Sequence, residues 1–400
     1  MAATADRILT THVGSLPRPK RVADLLFAEE RGDPLDPAAF EAAMAEAVDD
    51  VVRRQRAVGV DLASDGEMSK ISYATYVRHR LTGFEGDSPR RVPGDLEDYP
   101  AWMARAARGG KTPTYRRPCC VGPVAVRDHG PLRADLARFR AALDRHPGEG
   151  AFMNAAGPGV IALFQPDRHY GRHEAYLEAV AEAMRPEYEA IAASGIALQI
   201  DAPDLALGRH MGFKDAGEAE FLRTVGLHVE VLNHALRNVD PASVRLHVCW
   251  GNYEGPHHRD VPAARLMPEV LKARARFLSF EGANPRHAHE WSVWRDLPLP
   301  EDKVILPGVL DSTTNFVEHP LTVAERLCRY ADVVGRERVV ASSDCGFSTF
   351  AGYGTVQPEI AWAKLHAMAE GARVASDRLW GRPEREPDLA PPALPAYEDA

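Results

Sequence analysis

Residues 173–204 have the sequence HEAYLEAVAEAMRPEYEAIAASG-IALQIDAPD, in which a helix pattern runs directly into a strand pattern. Apolar residues recur at three- and four-residue spacing up to Gly195, which is typical of an amphipathic helix that stops at glycine. The short apolar run that follows, bounded by Pro203, is typical of a buried strand. A helix that connects two strands is the repeating unit of a parallel α/β sheet, so we predict parallel strand pairing here.

The same alternation extends along most of the chain. Helix patterns recur at 221–239 and 358–376, and the strand candidates are 8–15, 59–67, 119–124, 151–159, 196–204, 244–252, 276–284, 303–311 and 338–346. An eight-stranded barrel needs one strand fewer, and 119–124 is the extra element because it follows an irregular Gly/Pro/Arg-rich stretch. We therefore predict a single (β/α)8 TIM barrel over residues 1–376, with an inserted loop region near 86–118 at the active-site mouth and a Pro- and acid-rich tail over 377–400.

Polar residues at the ends of nearly every predicted strand favour the barrel over an open, doubly wound sheet. A barrel carries its chemistry on the face where all strands end, whereas an open sheet binds ligands only at a switch point. The strand-end residues are Ser15, Glu67, Asp201, His247, Cys249, Glu281, Asp311 and Cys345.

Composition restricts the class of partner. Lys and Arg number 48 against 57 Asp and Glu, a formal net charge of −9, which argues against nucleic acid and anionic membrane surfaces. No stretch approaches the ~20 apolar residues of a membrane span, and the start MAATADRILTTH lacks a signal-peptide pattern. The 5 cysteines are too sparse for a disulfide framework, so we expect a cytoplasmic protein with reduced thiols.

The strand-end residues include a set of metal ligands. His247 and Cys249 are separated by one residue, which puts both side chains on the same face of a strand. Glu281 and Cys345 follow later strands and would complete the tetrahedral N/S/O set that zinc prefers. The alternative is that both cysteines are buried apolar side chains and Glu281 is a solvated charge.

Zinc held by thiolates favours one reaction above others, the alkylation of an incoming thiol. Thiolate ligands leave the metal a poor Lewis acid for water. The metal lowers the pKa of a substrate thiol from ~8.5, so the thiol binds deprotonated near neutral pH.

Three further strand ends offer groups that could hold an amino acid. A turn at Gly14–Ser15 presents backbone N–H groups and a hydroxyl to an anion, although Ser15 could equally cap a helix. Glu67 and Asp201 could bind an ammonium group if they converge in space. Each also has a local explanation, Glu67 as a first-turn acid and Asp201 as a turn residue.

The His247-x-Cys249 strand end, Glu281 and Asp344-Cys345-Gly346 resemble the catalytic barrel of cobalamin-independent methionine synthase, and the resemblance runs from about residue 8 to residue 375. It implies that the zinc ligands are His247, Cys249, Glu281 and Cys345. It also implies an amino-acid thiol site in which backbone and hydroxyl groups hold the carboxylate and two acids hold the ammonium. The residues of that site are Val13, Gly14, Ser15, Glu67 and Asp201.

The chain departs from that family in the segment that begins at Gly308. There Thr313 stands where the family has a histidine that serves as proton donor, and Asp311 and His287 are the candidates to replace it. The runs Trp250-Gly251-Asn252-Tyr253 and Asn284-Pro285-Arg286-His287 are closer to a subgroup that includes epoxyalkane:coenzyme M transferase.

The resemblance implies a zinc-dependent transferase that moves an alkyl group, methyl in the leading interpretation, to a thiol. Homocysteine is the leading thiol because Glu67 and Asp201 suit its ammonium. The alkyl donor is a folate, a methyl-corrinoid or, with coenzyme M as thiol, an epoxide. A closed structural zinc site and a zinc-free barrel of decarboxylase-like or binding type are the alternatives. The expected partners are small molecules, and the sequence leaves both a monomer and a homo-oligomer open.

Overall fold

The computed structural model describes residues 6–89, 91–109 and 116–397. Residues 1–5 of the N-terminal stretch, 90 and 110–115 of the insertion, and 398–400 of the tail lie outside the described residues. The strands are β1 (Leu62–Ala63), β2 (Phe84–Glu85), β3 (Cys119–Cys120), β4 (Gly150–Ala156), β5 (Ala197–Asp201), β6 (Val244–Val248), β7 (Phe277–Phe280), β8 (Val304–Leu310) and β9 (Ser342–Ser343). The helices are α1 (Lys20–Arg31), α2 (Pro37–Ala57), α3 (Gly94–Glu97), α4 (Pro100–Gly109), α5 (Gly130–Arg145), α6 (Pro158–Phe164), α7 (His173–Ala193), α8 (Gly208–Met211), α9 (Glu218–Ala235), α10 (Ala263–Val270), α11 (Pro320–Val334) and α12 (Pro358–Leu379).

Seven strands form one parallel sheet in the order β1-β4-β5-β6-β7-β8-β9. The segment around Thr10 closes this sheet into a barrel. On one side the Leu62 N–H donates to the Thr10 carbonyl (3.0 Å), and on the other Thr10 forms a parallel bridge with Ala341. The N–H of Thr11 also donates to the Ala341 carbonyl (2.8 Å). Seven parallel strands linked by helices, with the Thr10 segment in the eighth position, confirm the predicted TIM barrel.

The helix pattern at residues 173–195 corresponds to α7. This helix ends at Ala193, and Gly195 follows with a φ of 79°, the left-handed conformation that favours glycine at a helix end. The chain then enters β5, whose residues are all buried. The two further helix patterns correspond to α9 and α12, with ends shifted by a few residues.

The insertion between β1 and β4 contains the predicted extra strand. β2 and β3 pair antiparallel, with Phe84 opposite Cys120, and neither belongs to the barrel sheet. The described part of residues 86–118 includes the helices α3 and α4, so the insertion is more ordered than a loop.

Part of the C-terminal tail packs against the barrel. Tyr397 is buried, its hydroxyl donates to the Pro17 carbonyl (3.1 Å), and its ring lies 4.2 Å from the Arg54 guanidinium carbon. Among the described residues, none of the helices combines the length and the apolar character needed to cross a membrane.

Candidate metal and thiol site

The four predicted metal ligands meet at the carboxyl ends of three barrel strands. His247 lies near the end of β6 and Cys249 directly follows that strand, while Glu281 and Cys345 follow β7 and β9. One ligand atom from each of His247, Cys249 and Cys345 lies within 4.8 Å of the others. The Cys345 sulfur is 3.8 Å from Glu281 Oε1. The fold therefore brings the predicted set together at one point.

The donor set fits a divalent cation on electrostatic grounds. Burial, followed by the neighbouring Cys249 and Glu281, raises the pKa of Cys345 well above its usual value. The contact with Cys345 acts to lower the pKa of Cys249, but burial and Glu281 raise it overall. Three buried acidic groups in contact are costly unless a cation compensates them, and zinc is the cation that this mixture of sulfur, nitrogen and oxygen donors prefers.

His247 is available as a neutral ligand. Burial, reinforced by the nearby Arg245 guanidinium, lowers the pKa of His247 to about 3, so the ring is uncharged at neutral pH. Its Nδ1 atom is buried and has no hydrogen-bond partner among the described residues. A buried ring nitrogen without a partner is costly, and coordination to a metal would satisfy it.

Backbone N–H groups fix the orientation of Glu281 and of the loop that follows it. The Trp250 N–H donates to Glu281 Oε1 (2.7 Å), and the Asn284 side-chain amide donates to Oε2 (2.8 Å). The Asp344 carboxylate accepts from the N–H groups of Gly282, Ala283 and Asn284, each at 2.8 Å. In the sequence Asp344 is marked only as part of the Asp344-Cys345-Gly346 motif; in the structure it clamps the Glu281 loop beside the predicted metal ligands.

Most of the predicted amino-acid subsite lines the same cavity as the metal ligands. Val13, Ser15, Glu67 and Asp201 share a cavity of about 310 Å³ with His247, Cys249 and Cys345. Gly14 lies behind it: a side chain there would come within 2.4 Å of the Asn154 amide. Its φ of 143° is one that residues with side chains rarely adopt, so this position requires glycine.

Asp201 and Glu67 differ in the hydrogen bonds that their carboxylates accept. Asp201 accepts hydrogen bonds from Asn154 Nδ2 (2.9 Å) and Gln199 Nε2 (3.0 Å), and burial raises its pKa to about 6. Glu67 has a φ of 56°, and its Oε2 is buried without a partner among the described residues. Burial raises the pKa of Glu67 to about 8; the Lys70 ammonium acts against this rise and the Asp201 charge adds to it. Two close, buried acids of this kind form a site that a cation such as an ammonium group would stabilise.

Sequence analysis missed the residues that hold these acids in place. Asn154 and Gln199 lie inside apolar strands, where a single amide side chain is the only local signal. Both amides also donate to the Val13 carbonyl, from 2.9 Å in the case of Asn154. Arg18 donates to the Glu67 carbonyl through Nε (3.1 Å) and Nη2 (2.7 Å), which holds the backbone of that turn.

Asp311, one candidate proton donor, lies at a second cavity of about 430 Å³. This cavity also includes Glu281, Cys345 and Thr313, so it adjoins the predicted metal ligands from another side. The Asp311 carboxylate accepts from the Thr313 N–H and hydroxyl (both 2.8 Å) and from the Thr314 hydroxyl (2.7 Å).

His287, the other candidate, is not among the residues that line either cavity. Its Nδ1 contacts Glu290 (2.7 Å), and its Nε2 contacts Asp260 (3.0 Å). Burial acts to lower the pKa of His287, but these two carboxylates raise it to about 10. The ring lies against Trp250, with centroids 4.5 Å apart. His287 is therefore held as a cation between two carboxylates and against Trp250.

Asp95, His210 and Asp260 form a second group with the spacing of a metal site. Hydrogen bonds already occupy the carboxylate oxygens of this group. Asp260 accepts from His210 Nε2 (2.6 Å), and its other oxygen faces His257 Nδ1 and His287 Nε2, both at 3.0 Å. Asp95 accepts from the Tyr253 hydroxyl (2.9 Å). These hydrogen bonds use the oxygens that a metal would need. The group therefore acts as a polar network that joins the insertion to the loop after β6.

The sequence matches the family described as "Cobalamin-independent synthase, Catalytic domain" over residues 8–100 and 111–373. The chain belongs to this family. The chain is also similar to enzymes over nearly their whole length: 2-hydroxypropyl-CoM lyase from Xanthobacter autotrophicus is 26% identical over 93% of this chain and 96% of its own length. Methionine synthase from Saccharolobus solfataricus is 23% identical over 92% of this chain and 95% of its own length.

Solved structures of the family share the fold. A B12-independent methionine synthase from Shewanella sp. W3-18-1, in complex with selenomethionine, superposes with a TM-score of 0.68 and 17% identity, over 94% of this chain and 99% of that one. The putative vitamin-B12 independent methionine synthase from Listeria monocytogenes gives a TM-score of 0.61 and 17% identity, over 92% of this chain and 98% of that one.

Proposed function

We propose that this protein is a zinc-dependent S-methyltransferase that transfers a methyl group to homocysteine to give methionine. One observation carries the proposal: a single cavity combines the ligand group His247, Cys249 and Cys345 with the acid pair Glu67 and Asp201. The first group suits a thiol and the second an ammonium group, and homocysteine contains both. We place the reaction in the cytoplasm, where thiols such as the free cysteines of this chain stay reduced.

The residues of the chain bind and orient the thiol. Glu67 and Asp201 pair with the substrate ammonium, and the backbone and hydroxyl of Ser15 bind its carboxylate. Zinc, when bound, would lower the pKa of the substrate thiol so that its sulfur is presented as a thiolate. A sulfur–carbon bond then forms in line with the breaking bond between the methyl carbon and the leaving group, which keeps the electron pair and takes up a proton.

We assign the supply of that proton to Asp311 rather than His287. Asp311 lines a cavity that includes Glu281 and Cys345, whereas both ring nitrogens of His287 contact carboxylates. A proton donor must reach the leaving atom directly or through one water. This favours Asp311, because the second cavity, which it lines, shares Asn252, Tyr253 and Cys345 with the thiol cavity. His287 instead supports Trp250 and, through it, the chain that carries Cys249.

A direct comparison of thiols tests the proposal. Zinc-loaded protein is titrated calorimetrically with homocysteine and with 2-mercaptoethanesulfonate (coenzyme M). It is then incubated with each thiol and with methylcobalamin, 5-methyltetrahydrofolate or epoxypropane, and the products are identified by mass spectrometry. We expect homocysteine to bind at least tenfold more tightly and to yield methionine with one of the methyl donors. No homocysteine binding to zinc-loaded protein would overturn the proposal.

The second candidate is alkyl transfer from an epoxide to coenzyme M. It is favoured by the similarity to 2-hydroxypropyl-CoM lyase and by Arg91, an arginine at the cavity that could bind a sulfonate. In that reaction a bond forms between the thiolate sulfur and an epoxide carbon as the carbon–oxygen bond of the epoxide breaks. The resulting alkoxide then takes up a proton. Tight binding of coenzyme M and addition to epoxypropane, without homocysteine binding, would identify it. A zinc-free barrel of decarboxylase-like or binding type would instead show no metal and dispensable cysteines.

A further inference from the structure

The C-terminal tail returns to the barrel along a path that is held by hydrogen bonds. After α12 ends, the Asp388 N–H donates to the Glu370 carboxylate (3.0 Å). The Arg373 guanidinium donates to the Glu386 carbonyl (3.1 Å), and farther along Leu394 packs against the hydrophobic core. The family match ends at residue 373, inside α12, so the tail lies beyond the segment that the family shares.

Tyr397 anchors the tail to the loop that follows the Thr10 segment. The residue is only 9% exposed, its hydroxyl donates to the Pro17 carbonyl (3.1 Å), and its ring lies 4.2 Å from the Arg54 guanidinium carbon. Burial raises the pKa of Tyr397 to about 12, although the Arg54 guanidinium acts to lower it. The hydroxyl therefore keeps its proton at neutral pH and remains a hydrogen-bond donor.

The loop at residues 16–19 depends on donors from outside itself. Pro17 and Pro19 have no backbone N–H, so only half of its residues can donate from the main chain. Pro17 is buried, and a buried carbonyl that loses its partner costs free energy comparable to a lost hydrogen bond. The hydroxyl of Tyr397 therefore stabilises the path of this loop.

The same loop joins two parts of the thiol site. Ser15, the residue directly before it, lines the cavity. The Leu16 N–H donates to the Gly66 carbonyl (3.1 Å), and Arg18 Nη2 donates to the carbonyl of Glu67 (2.7 Å). A shift of the loop would therefore move the groups that the proposed function assigns to the substrate carboxylate and to its ammonium.

We propose that Tyr397 is a positioning residue for the amino-acid half of the thiol site. Through the Pro17 carbonyl its hydroxyl fixes the loop, and the loop sets Ser15 relative to the turn that carries Glu67. Because the predicted metal ligands follow other strands, the affinity for zinc is independent of Tyr397. The nature of the substrate rests on the proposed function, whereas the positioning of the loop does not.

Hydrogen exchange tests the positioning without any ligand. Tyr397→Phe keeps the aromatic ring and removes only the hydroxyl. We expect amides in peptides that cover residues 12–18 and 62–70 to exchange about threefold faster or more, since one net hydrogen bond is lost. Tyr176→Phe is the matched control, because its hydroxyl also donates to a buried carbonyl, that of Gln165 (2.8 Å), and neither residue lines the cavity. In the control the exchange of these two peptides should be unchanged.

Ligand binding tests what the positioning serves. Calorimetry compares the affinity for homocysteine of zinc-loaded wild type, Tyr397→Phe and Tyr176→Phe, at a temperature well below the unfolding of each. Tyr397→Phe should bind homocysteine about threefold to tenfold more weakly, the range that one net hydrogen bond gives, and should contain as much zinc as the wild type. A tyrosine that only stabilised the fold would lower the melting temperature and leave this affinity unchanged.

The role of Tyr397 is overturned if Tyr397→Phe binds homocysteine as tightly as the wild type, or if Tyr176→Phe changes the exchange and the affinity equally. The first of these results would leave the proposed function intact. Faster exchange in Tyr397→Phe, together with a zinc-loaded wild type that binds no homocysteine, would uphold the positioning of the loop and overturn the proposed function. Unchanged exchange of both peptides in Tyr397→Phe would overturn the positioning whatever the ligand.

Discussion

The sulfur atoms of Cys249 and Cys345 lie 3.1 Å apart, although the two residues are separated by 96 positions in the chain. Zinc–sulfur bonds of ~2.3 Å in a tetrahedral site place two ligand sulfurs slightly farther apart than this, at about 3.8 Å. A small outward movement of the two side chains would therefore admit the ion. The two cysteines lie close together because the strands they follow, β6 and β9, end on the same face of the barrel.

The first prediction concerns metal content. Wild-type protein purified under reducing conditions should contain about one zinc per chain, and Cys249→Ser should lose most of it because one of the four donors is replaced by a weaker one. Cys328→Ser is the control, since Cys328 lies in α11 and takes no part in the site. The amount of zinc per protein chain is measured by elemental mass spectrometry. Full zinc occupancy in Cys249→Ser would remove that residue from the ligand set.

The second prediction concerns Glu67 and pH. Burial and Asp201 raise the pKa of Glu67 to about 8 in the free protein, so below that pH Glu67 carries a proton that it must release to bind an ammonium. The affinity for homocysteine should therefore rise between about pH 6 and pH 8, and binding should release a proton into the buffer. Calorimetry in buffers of different ionisation enthalpy measures both effects.

A variant of Glu67 and a matched variant of an exposed glutamate test the role of Glu67 in binding. Glu67→Gln should weaken homocysteine binding by about tenfold or more, because a neutral amide cannot pair with the ammonium. It should also reduce the proton release below pH 8 by the proton that Glu67 contributes, and leave the release that comes from the thiol. Glu46→Gln, on the exposed side of α2, should leave binding unchanged. Equal affinity of Glu67→Gln and wild type would exclude Glu67 from the ammonium site.

The third prediction concerns His287 and stability. The carboxylates of Asp260 and Glu290 raise the pKa of His287 to about 10 against the burial that lowers it. A histidine with a raised pKa stabilises the fold fully below its unfolded value of ~6.5, and this contribution is lost as the pH rises through 10. The free energy of unfolding should therefore fall between pH 6.5 and pH 10.

His287→Gln should remove this pH dependence. At pH 6.5 it should also lower the free energy of unfolding by about 3–5 kcal/mol, since it leaves two buried carboxylates without their cation. Urea denaturation at several pH values measures both effects, and His289→Gln, the exposed histidine two residues later, is the control. A His287→Gln variant of wild-type stability that cannot turn over substrate would instead favour His287 as the proton donor.

The fourth prediction concerns Gly308 in β8. A side chain at this position would come within 1.9 Å of the Asp344 carboxylate that clamps the Glu281 loop. Gly308→Ala should therefore destabilise the protein by about 1–3 kcal/mol and weaken zinc binding, because Asp344 and the Glu281 loop must move. Gly217→Ala is the control, because no atom lies within 4 Å of an added side chain there. Unchanged zinc affinity in Gly308→Ala would show that the clamp does not position Glu281.

The barrel followed from sequence, and so did the convergence of the candidate metal ligands, because strand ends are local features. Period-two alternation placed His247 and Cys249 on one face, and all strands of a parallel barrel end together, which brings in Glu281 and Cys345.

Contacts that depend on register and loop path did not follow from sequence. Asn154 supports Asp201 only because β4 and β5 pair in a register that sets Asn154 beside Gln199. His287 faces two carboxylates from separate loops, so the residue itself gives no sign of being a fixed cation. Arg117 reaches the cavity through the path of the insertion between β2 and β3, a property that residue spacing does not encode.

The closure of the barrel also sets an order of events during synthesis. Thr10 pairs with Ala341, so the strand that leads to Ser15 has an exposed edge until more than three-quarters of the chain has been made. At ~5–20 residues per second the ribosome needs on the order of tens of seconds to cover that distance. Contacts of such long sequence separation form slowly, and an unpaired strand edge is exposed to aggregation in the meantime. The wall that receives the thiol is therefore completed late in folding, and its first strand is the segment with most need of protection on the ribosome.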